Sequence, residues 1–271
     1  MWYDKCIWIL SQRRALGLGR EDVCMSTEKV IPIIEIPYGV IAPRVIVCGD
    51  PARAEKIASR LDNMTVVAKT REYWTFNGSY KGVPVTVSSH GVGAAGAHVS
   101  FEGLILGGAK VMIRVGTCGT LQPGMPQGAL IIATAACRED GVTQQLIPSS
   151  YPAVASYDVV QVMIEEAKKT DAWFRSGIIS TGGIFYKGII PTNNRVMADA
   201  GCLAFENEAA MLFVTCSLKG IKAGCIVAAD GPCFEFVGSE EFDHHPGAMA
   251  KAVEDEITIA LESIIRVEVE E

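Results

Sequence analysis

Residues 44–61 read RVIVCGDPARAEKIASRL. The first part, RVIVCG (44–49), is a β-branched run closed by a glycine, the pattern of a buried strand. The second, DPARAEKIASRL (50–61), predicts a helix, because Pro51 suits a first helical turn and Asp50 suits the cap before it. A buried strand passing directly into a helix is the building unit of an α/β fold, and the rest of the chain continues in kind. TVVAK (65–69), YWTFNGSYKG (73–82) and VPVTVSS (83–89) predict strands, the last two joined by a turn near Lys81-Gly82. GAAGAHVSFEGLILGG (93–108) predicts a helix rich in small residues and suited to close packing. Further strands are predicted over 110–119, 129–136 and 223–231, and further helices over 155–169 and 246–266. This alternation places helices on both faces of a largely parallel or mixed sheet. No internal repeat, low-complexity tract or linker divides the chain, so one domain is expected over residues 25–271. Residues 1–24 (MWYDKCIWILSQRRALGLGREDVC) differ in character and are read as an appendage, with Met25 directly after them.

Of 271 residues, 49% are hydrophobic and 20% charged, the balance of a soluble globular protein with a sizeable core. A net charge of −7 and the lack of a long basic run argue against nucleic acid or an anionic membrane as partner. No run approaches the ~20 apolar residues that span a bilayer. Nine cysteines show no C-x-x-C spacing. They are read as reduced thiols of a cytoplasmic protein, with Cys48 and Cys225 as small buried hydrophobes. His90, His98, His244 and His245 lack ligand spacing, so no metal site is expected, and the His244-His245 pair is read as loop.

In open α/β sheets ligands bind at the carboxyl ends of strands. Gly49 ends one strand, where backbone N–H groups and the following helix suit an anion, and Arg53 lies one turn in. The alternative is a plain capped helix with Arg53 in solvent. Arg114 interrupts the apolar strand of AKVMIRVGTCGTL (109–121), and a buried arginine needs either an oxyanion or a structural carboxylate. Thr117, between Gly116 and Gly119, offers a hydroxyl and an N–H to the same anion. Arg71 lies at a strand edge near aromatics. Asp230 ends the strand of VAADGP (227–232), a place for a general acid or for a turn cap. In GCLAFENEAAMLFVTC (201–216), Glu206 and Glu208 flank Asn207 within an apolar run, and no cation lies nearby in sequence. A buried carboxylate needs a partner. Together these groups suit a phosphate, a polyhydroxyl group and a leaving group that requires a proton.

Several stretches resemble one family: GDPAR, REYWTFNGSYKG, SHGVGAAG, GAKVMIRVGTCGTLQPG, AACREDGV, YPAVASYDV, FENEAAML and AADGPCFEF. From about Val45 to Ile265 the chain is similar to the hexameric, uridine-phosphorylase-like nucleoside phosphorylases, and most of all to purine nucleoside phosphorylases of apicomplexan type. The resemblance implies a three-layer α/β/α sandwich around a mixed, partly barrel-like sheet. It implies a homo-oligomer built from dimers, usually a hexamer, with no cofactor beyond inorganic phosphate as co-substrate. Gly49, Arg53, Arg114 and Thr117 match phosphate contacts, and Arg71 matches an arginine that reaches the neighbouring subunit's phosphate. Glu208 matches the glutamate on the ribose 2′- and 3′-hydroxyls, Asp230 the aspartate that protonates purine N7, and Phe185 an aromatic position beside the base. Glu206 is either structural or at the base edge.

The chain departs from the family pattern in three places. A histidine usual about sixteen residues before the glycine of GDP is missing from VIPIIEIPYG (30–39), which suits a less polar 5′ group such as methylthio. Asn207 stands where methionine is usual under the ribose. The Q-x-R signature by which uridine phosphorylases read uracil is absent after FYKG. The implied activity is phosphorolysis of purine nucleosides. Uridine or 5′-methylthioadenosine phosphorolysis, or an inactive nucleoside-binding relative, are the alternatives.

Overall fold

A computed structural model describes residues 29–186, 188–233 and 246–269. The appendage 1–24 and the His244-His245 pair lie outside them. The predicted opening unit is present: strand β3 (Arg44–Cys48) runs into helix α1 (Pro51–Ala58), with β1 (Val30–Ile31) and β2 (Ile36–Pro37) before it. Asp50 caps α1 by accepting from the Ala52 N–H at 2.9 Å. Strands β4 (Asp62–Thr70), β5 (Tyr73–Tyr80) and β6 (Val83–Ser89) form an antiparallel meander. Lys81 and Gly82 both take positive φ, 50° and 80°, in the two-residue hairpin between β5 and β6, a geometry that matches the twist of the flanking strands.

After helix α2 (Ala94–Gly107) come β7 (Val111–Thr120), β8 (Leu130–Glu139), β9 (Ala153–Val154), helix α3 (Tyr157–Ala167) and β10 (Phe174–Gly182). Helix α4 (Asn194–Asp199), β11 (Ala204–Glu206), helix α5 (Ala209–Leu218), β12 (Lys222–Pro232) and helix α6 (Pro246–Ile264) complete the order. The main sheet runs β4-β5-β6-β3-β7-β12-β8-β10-β11. Its last strand also pairs with β7, Ala204 opposite Thr120 and Phe205 opposite Gly119, so β7, β12, β8, β10 and β11 close into a five-stranded barrel. The sheet is mixed: β3, β7 and β12 are mutually parallel, whereas β12 meets β8 antiparallel. Helices α2 and α5 pack together on one side, and α1, α3 and α6 lie on the other, giving the expected three layers.

Three parallel strands carry motifs to one rim. In register, Val47 of β3 lies beside Arg114 of β7, and Thr117 of β7 beside Ala228 of β12. Gly49, Thr117 and Asp230 therefore emerge at the same carboxyl edge, where ligands of open α/β sheets bind. Periodicity did not reveal helix α5, because it is buried from Ala209 through Cys216 and has no polar face to create a period. Cys48 and Cys225 are fully buried, as their apolar settings imply. Among the described residues, no helix is long and apolar enough to cross a membrane.

Candidate active site

Arg114 points into the barrel and is 3% exposed. Its guanidinium is the missing cation of the ENE segment: Nη2 bonds Glu208 Oε2 and lies 3.1 Å from Glu206 Oε2. Burial opposes the charge on Arg114, and the two glutamates more than offset that, so it stays cationic. A Cβ on Gly116, two residues along the same strand face, would overlap Arg114 Nη1. Glycine there is a packing requirement of the bent guanidinium.

The two glutamates have different work. Glu206 accepts from the Glu208 N–H at 2.8 Å, from the Ala209 N–H at 2.9 and 3.0 Å, and from the Thr181 hydroxyl at 2.5 Å. It thereby satisfies the first amides of α5, whose own cap position is Glu208. Burial pushes the Glu206 carboxyl above the usual range. Burial also pushes Glu208 upward, but the closer Arg114 contact prevails and holds it below that range. Glu208 Oε1 accepts from the Gly93 N–H at 2.6 Å. Gly93 has φ 91°, a conformation open to glycine, in the loop that delivers this amide. Asn207, between the glutamates, donates from Nδ2 to the Gly182 carbonyl at 2.8 Å and ties the end of β10 to the site.

On the neighbouring strand, Gly49 accepts from the Gly91 N–H at 3.0 Å. A side chain at Gly49 would press on the Gly91 carbonyl, at 3.2 Å. Arg53 is mostly buried and faces Glu256 of α6, Nη1 to Oε1 3.5 Å. Thr117 is exposed at the rim. Asp230 is the extra residue of a bulge: Ala229 pairs with Cys118 and Gly231 with Gly119. Bulges re-aim the side chain they carry and recur beside active sites. The Asp230 carbonyl accepts from Gln127 Nε2 at 3.0 Å.

The structure brings Arg114, Glu206 and Glu208 into contact and sets Gly49, Arg53, Thr117 and Asp230 along one rim. Two expected residues lie apart from that cluster. Arg71 sits at the exposed turn between β4 and β5 with φ 54°, its carbonyl accepting from Trp74 Nε1 at 3.1 Å. Phe185 is 63% exposed in the segment after β10, its ring edge-on to Tyr186 at 5.2 Å.

Residues 43–266 match the model of the Phosphorylase superfamily. The chain belongs to that superfamily. It is 38% identical over 202 residues to a uridine phosphorylase of Thermococcus kodakarensis, covering 70% of this chain and 73% of that one. It is 36% identical over 235 residues to a purine nucleoside phosphorylase of Plasmodium vivax, covering 86% and 95%. The solved purine nucleoside phosphorylase of Toxoplasma gondii, in complex with immucillin-H, superposes with a TM-score of 0.83 at 32% identity, over 89% of this chain and 97% of that one. This superfamily member is a nucleoside phosphorylase-type enzyme, a pentosyltransferase.

Sequence reasoning did not single out four residues that lie against the predicted ones: Gly93, Thr181, His90 and Glu256. The two glycines of SHGVG at a strand–helix junction were a usable signal for Gly93, and Glu256 was legible as the one carboxylate on an apolar stripe of α6. Thr181 gave no signal. His90 is fully buried with Nδ1 2.8 Å from the Gly91 carbonyl, and burial lowers its pKa to about 4, so it is neutral at pH 7.

Proposed function

We propose that this enzyme is a purine nucleoside phosphorylase, cleaving purine ribo- or deoxyribonucleosides with phosphate to free base and pentose 1-phosphate. The observation that carries the base assignment is Asp230, lifted out of the strand ladder by a bulge at the rim that also holds Gly49 and Thr117. In that place a carboxylic acid protonates N7 of a departing purine, a role a pyrimidine does not require. Gly49, Arg53, Arg114 and Thr117 bind phosphate, and Arg71, exposed on its hairpin, completes the site of a second copy in a dimer-based homo-oligomer. Glu208, already fixed by Arg114 and the Gly93 amide, receives the ribose 2′- and 3′-hydroxyls. Glu206 stays structural, and Asn207 and Phe185 line the nucleoside side.

As the glycosidic bond breaks, the sugar becomes oxocarbenium-like. Phosphate held on the arginines stabilises that cation and captures C1′, with inversion enforced by its placement on the face opposite the base. Placement and fixed charge supply the rate, without a covalent enzyme intermediate. A second reading has its own support. Ile33, at the position sixteen residues before Gly49, is 49% exposed in a left-handed conformation between β1 and β2. An apolar group presented there suits a 5′-methylthio substituent.

Release of base from inosine, guanosine, adenosine, methylthioadenosine and uridine, each with and without phosphate, tests both. Release that needs no phosphate would end the phosphorolytic reading, and preference for uridine would end the purine one. Asp230→Asn is expected to slow inosine turnover about 10²–10³-fold, the scale of a lost general acid, while phosphate affinity stays close to that of the parent.

A further inference from the structure

Glu256 is the buried charge that the proposed reaction leaves unused. It is 0% exposed. Its Oε1 meets Arg53 Nη1 only at 3.5 Å, and its Oε2 makes no well-formed hydrogen bond among the described residues, although the Gly116 and Ala228 amides lie near enough to favour its charge. Helix α6, which carries it, packs on β3, β7 and β12, the three strands whose ends form the rim. Around that rim lie two guanidiniums, the partly exposed Arg53 and the buried Arg114, and three buried carboxylates, Glu206, Glu208 and Glu256. A dianion entering this set meets a net negative charge, which neutralising one carboxylate cancels, and the low dielectric makes the uncancelled repulsion costly. Glu206 and Glu208 are saturated by Arg114 and by backbone or hydroxyl donors. Glu256 is the one with an unsatisfied oxygen.

We propose that Glu256 is a positioning residue of the anion site, holding Arg53 toward the rim and carrying a proton whenever the phosphate dianion is bound, so that binding at alkaline pH draws that proton from solvent. This rests on the phosphorolytic reading. Glu256 is set among cations and thiols. Facing it are Arg53 from α1, Arg114 and the Cys118 thiol from β7, the Cys48 thiol from β3 and the Cys225 thiol from β12. Burial pushes Cys48 up to about 12, and raises Cys118 and Cys225 as well, so all three thiols stay protonated near neutral pH. Elsewhere on the packed elements, Arg44 bonds the Val267 carbonyl, and Asp158, Glu165 and Glu166 bond Lys222, Arg266 and Lys169. Lys222 and Asp230 lie at opposite ends of β12. Burial raises Glu256 to about 8, against the pull of Arg53 and Arg114. It is therefore poised to change state near neutrality.

Sulfate is a suitable probe because it keeps its charge throughout pH 6–10, so its binding reports protein protons alone. Calorimetric titration of the full chain with sulfate at pH 9, where Glu256 of the free enzyme is almost wholly ionised, in two buffers of different ionisation enthalpy, is expected to show uptake of close to one proton. No uptake would overturn the proposal without any variant. Sulfate affinity is expected to fall about tenfold per pH unit above the Glu256 pKa, the slope of one linked proton. In Glu256→Gln, which keeps an acceptor for Arg53 but cannot ionise, that fall should disappear; an unchanged slope would overturn the proposal. Glu256→Met removes the hold on Arg53 as well and should raise the phosphate KM about tenfold at pH 7, with kcat falling far less. A parental KM would overturn the positioning half. Phosphate and sulfate bound by neither the parent nor Glu256→Gln would overturn the phosphorolytic reading itself. Binding by both with equal pH dependence overturns only the role of Glu256.

Discussion

Arg114 and Arg53 come from neighbouring elements and both lie within electrostatic reach of the buried Cys48, yet they are held in opposite ways. Arg114 is clamped between two carboxylates inside the barrel, with Gly116 vacated to admit its guanidinium. Arg53 lies at the rim beside a single carboxylate, at a loose 3.5 Å. In the first assembly both carboxylates are fully engaged, Glu206 by helix amides and a hydroxyl and Glu208 by Arg114 and Gly93, while Arg114 Nε keeps no hydrogen-bond partner among the described residues. The second is open, with an unpartnered oxygen and an arginine partly in solvent. Two fully engaged carboxylates fix the geometry of their cluster, whereas an under-satisfied pair retains capacity to answer an incoming charge.

That contrast breaks most visibly at Arg114. Arg114→Met leaves two carboxylates buried without their cation and is expected to cost about 3–5 kcal/mol in urea unfolding; parental stability would mean the carboxylates do not depend on it. Next comes Glu206→Gln, which removes the charge from several short hydrogen bonds at the start of α5. A loss of about 2 kcal/mol is expected, and a loss of activity with no loss of stability would return Glu206 to the base edge.

The open assembly should respond with the opposite sign. A carboxyl whose folded pKa is raised contributes stability below its ordinary value near 4.5, and that contribution is lost as pH rises through about 8. Glu256→Gln should therefore match the parent in Tm near pH 4.5 and exceed it by several degrees at pH 9, the gap opening as the pH rises toward about 8. A constant difference across that range would remove the carboxylate from the account. The smallest effect is expected at Asp50→Ala. Losing this exposed cap should cost about 0.5–1 kcal/mol and loosen the helix that carries Arg53, without altering the Arg114 cluster.

Much of the frame was legible because it rests on local rules. The strand–helix unit at 44–58, the hairpin at Lys81-Gly82 and the long C-terminal helix follow from periodicity and turn chemistry. Helix α5 and strands β10 and β11 did not show, since the first is apolar all round, the second carries Arg175, Ser176 and Gly177 in its first half, and the third is three residues long. In the site, each candidate residue type was readable but its partner was not. Ninety-odd residues separate Arg114 from Glu208, and 203 separate Arg53 from Glu256.

By itself the sequence determined an α/β chain whose strands end in glycine, threonine and aspartate, with arginines suited to an anion and two carboxylates in need of a cation. It also carried the string of motifs that resembles the nucleoside phosphorylases. Only the tertiary structure decided which cation those carboxylates meet, that Glu206 is consumed as a helix cap while Glu208 stays aimed at the site, and that Asp230 stands out on a bulge. The reason is physical. Secondary structure follows from interactions within a few residues, but the state of a buried charge is set by whatever the fold packs against it, and that is a property of closure of the barrel.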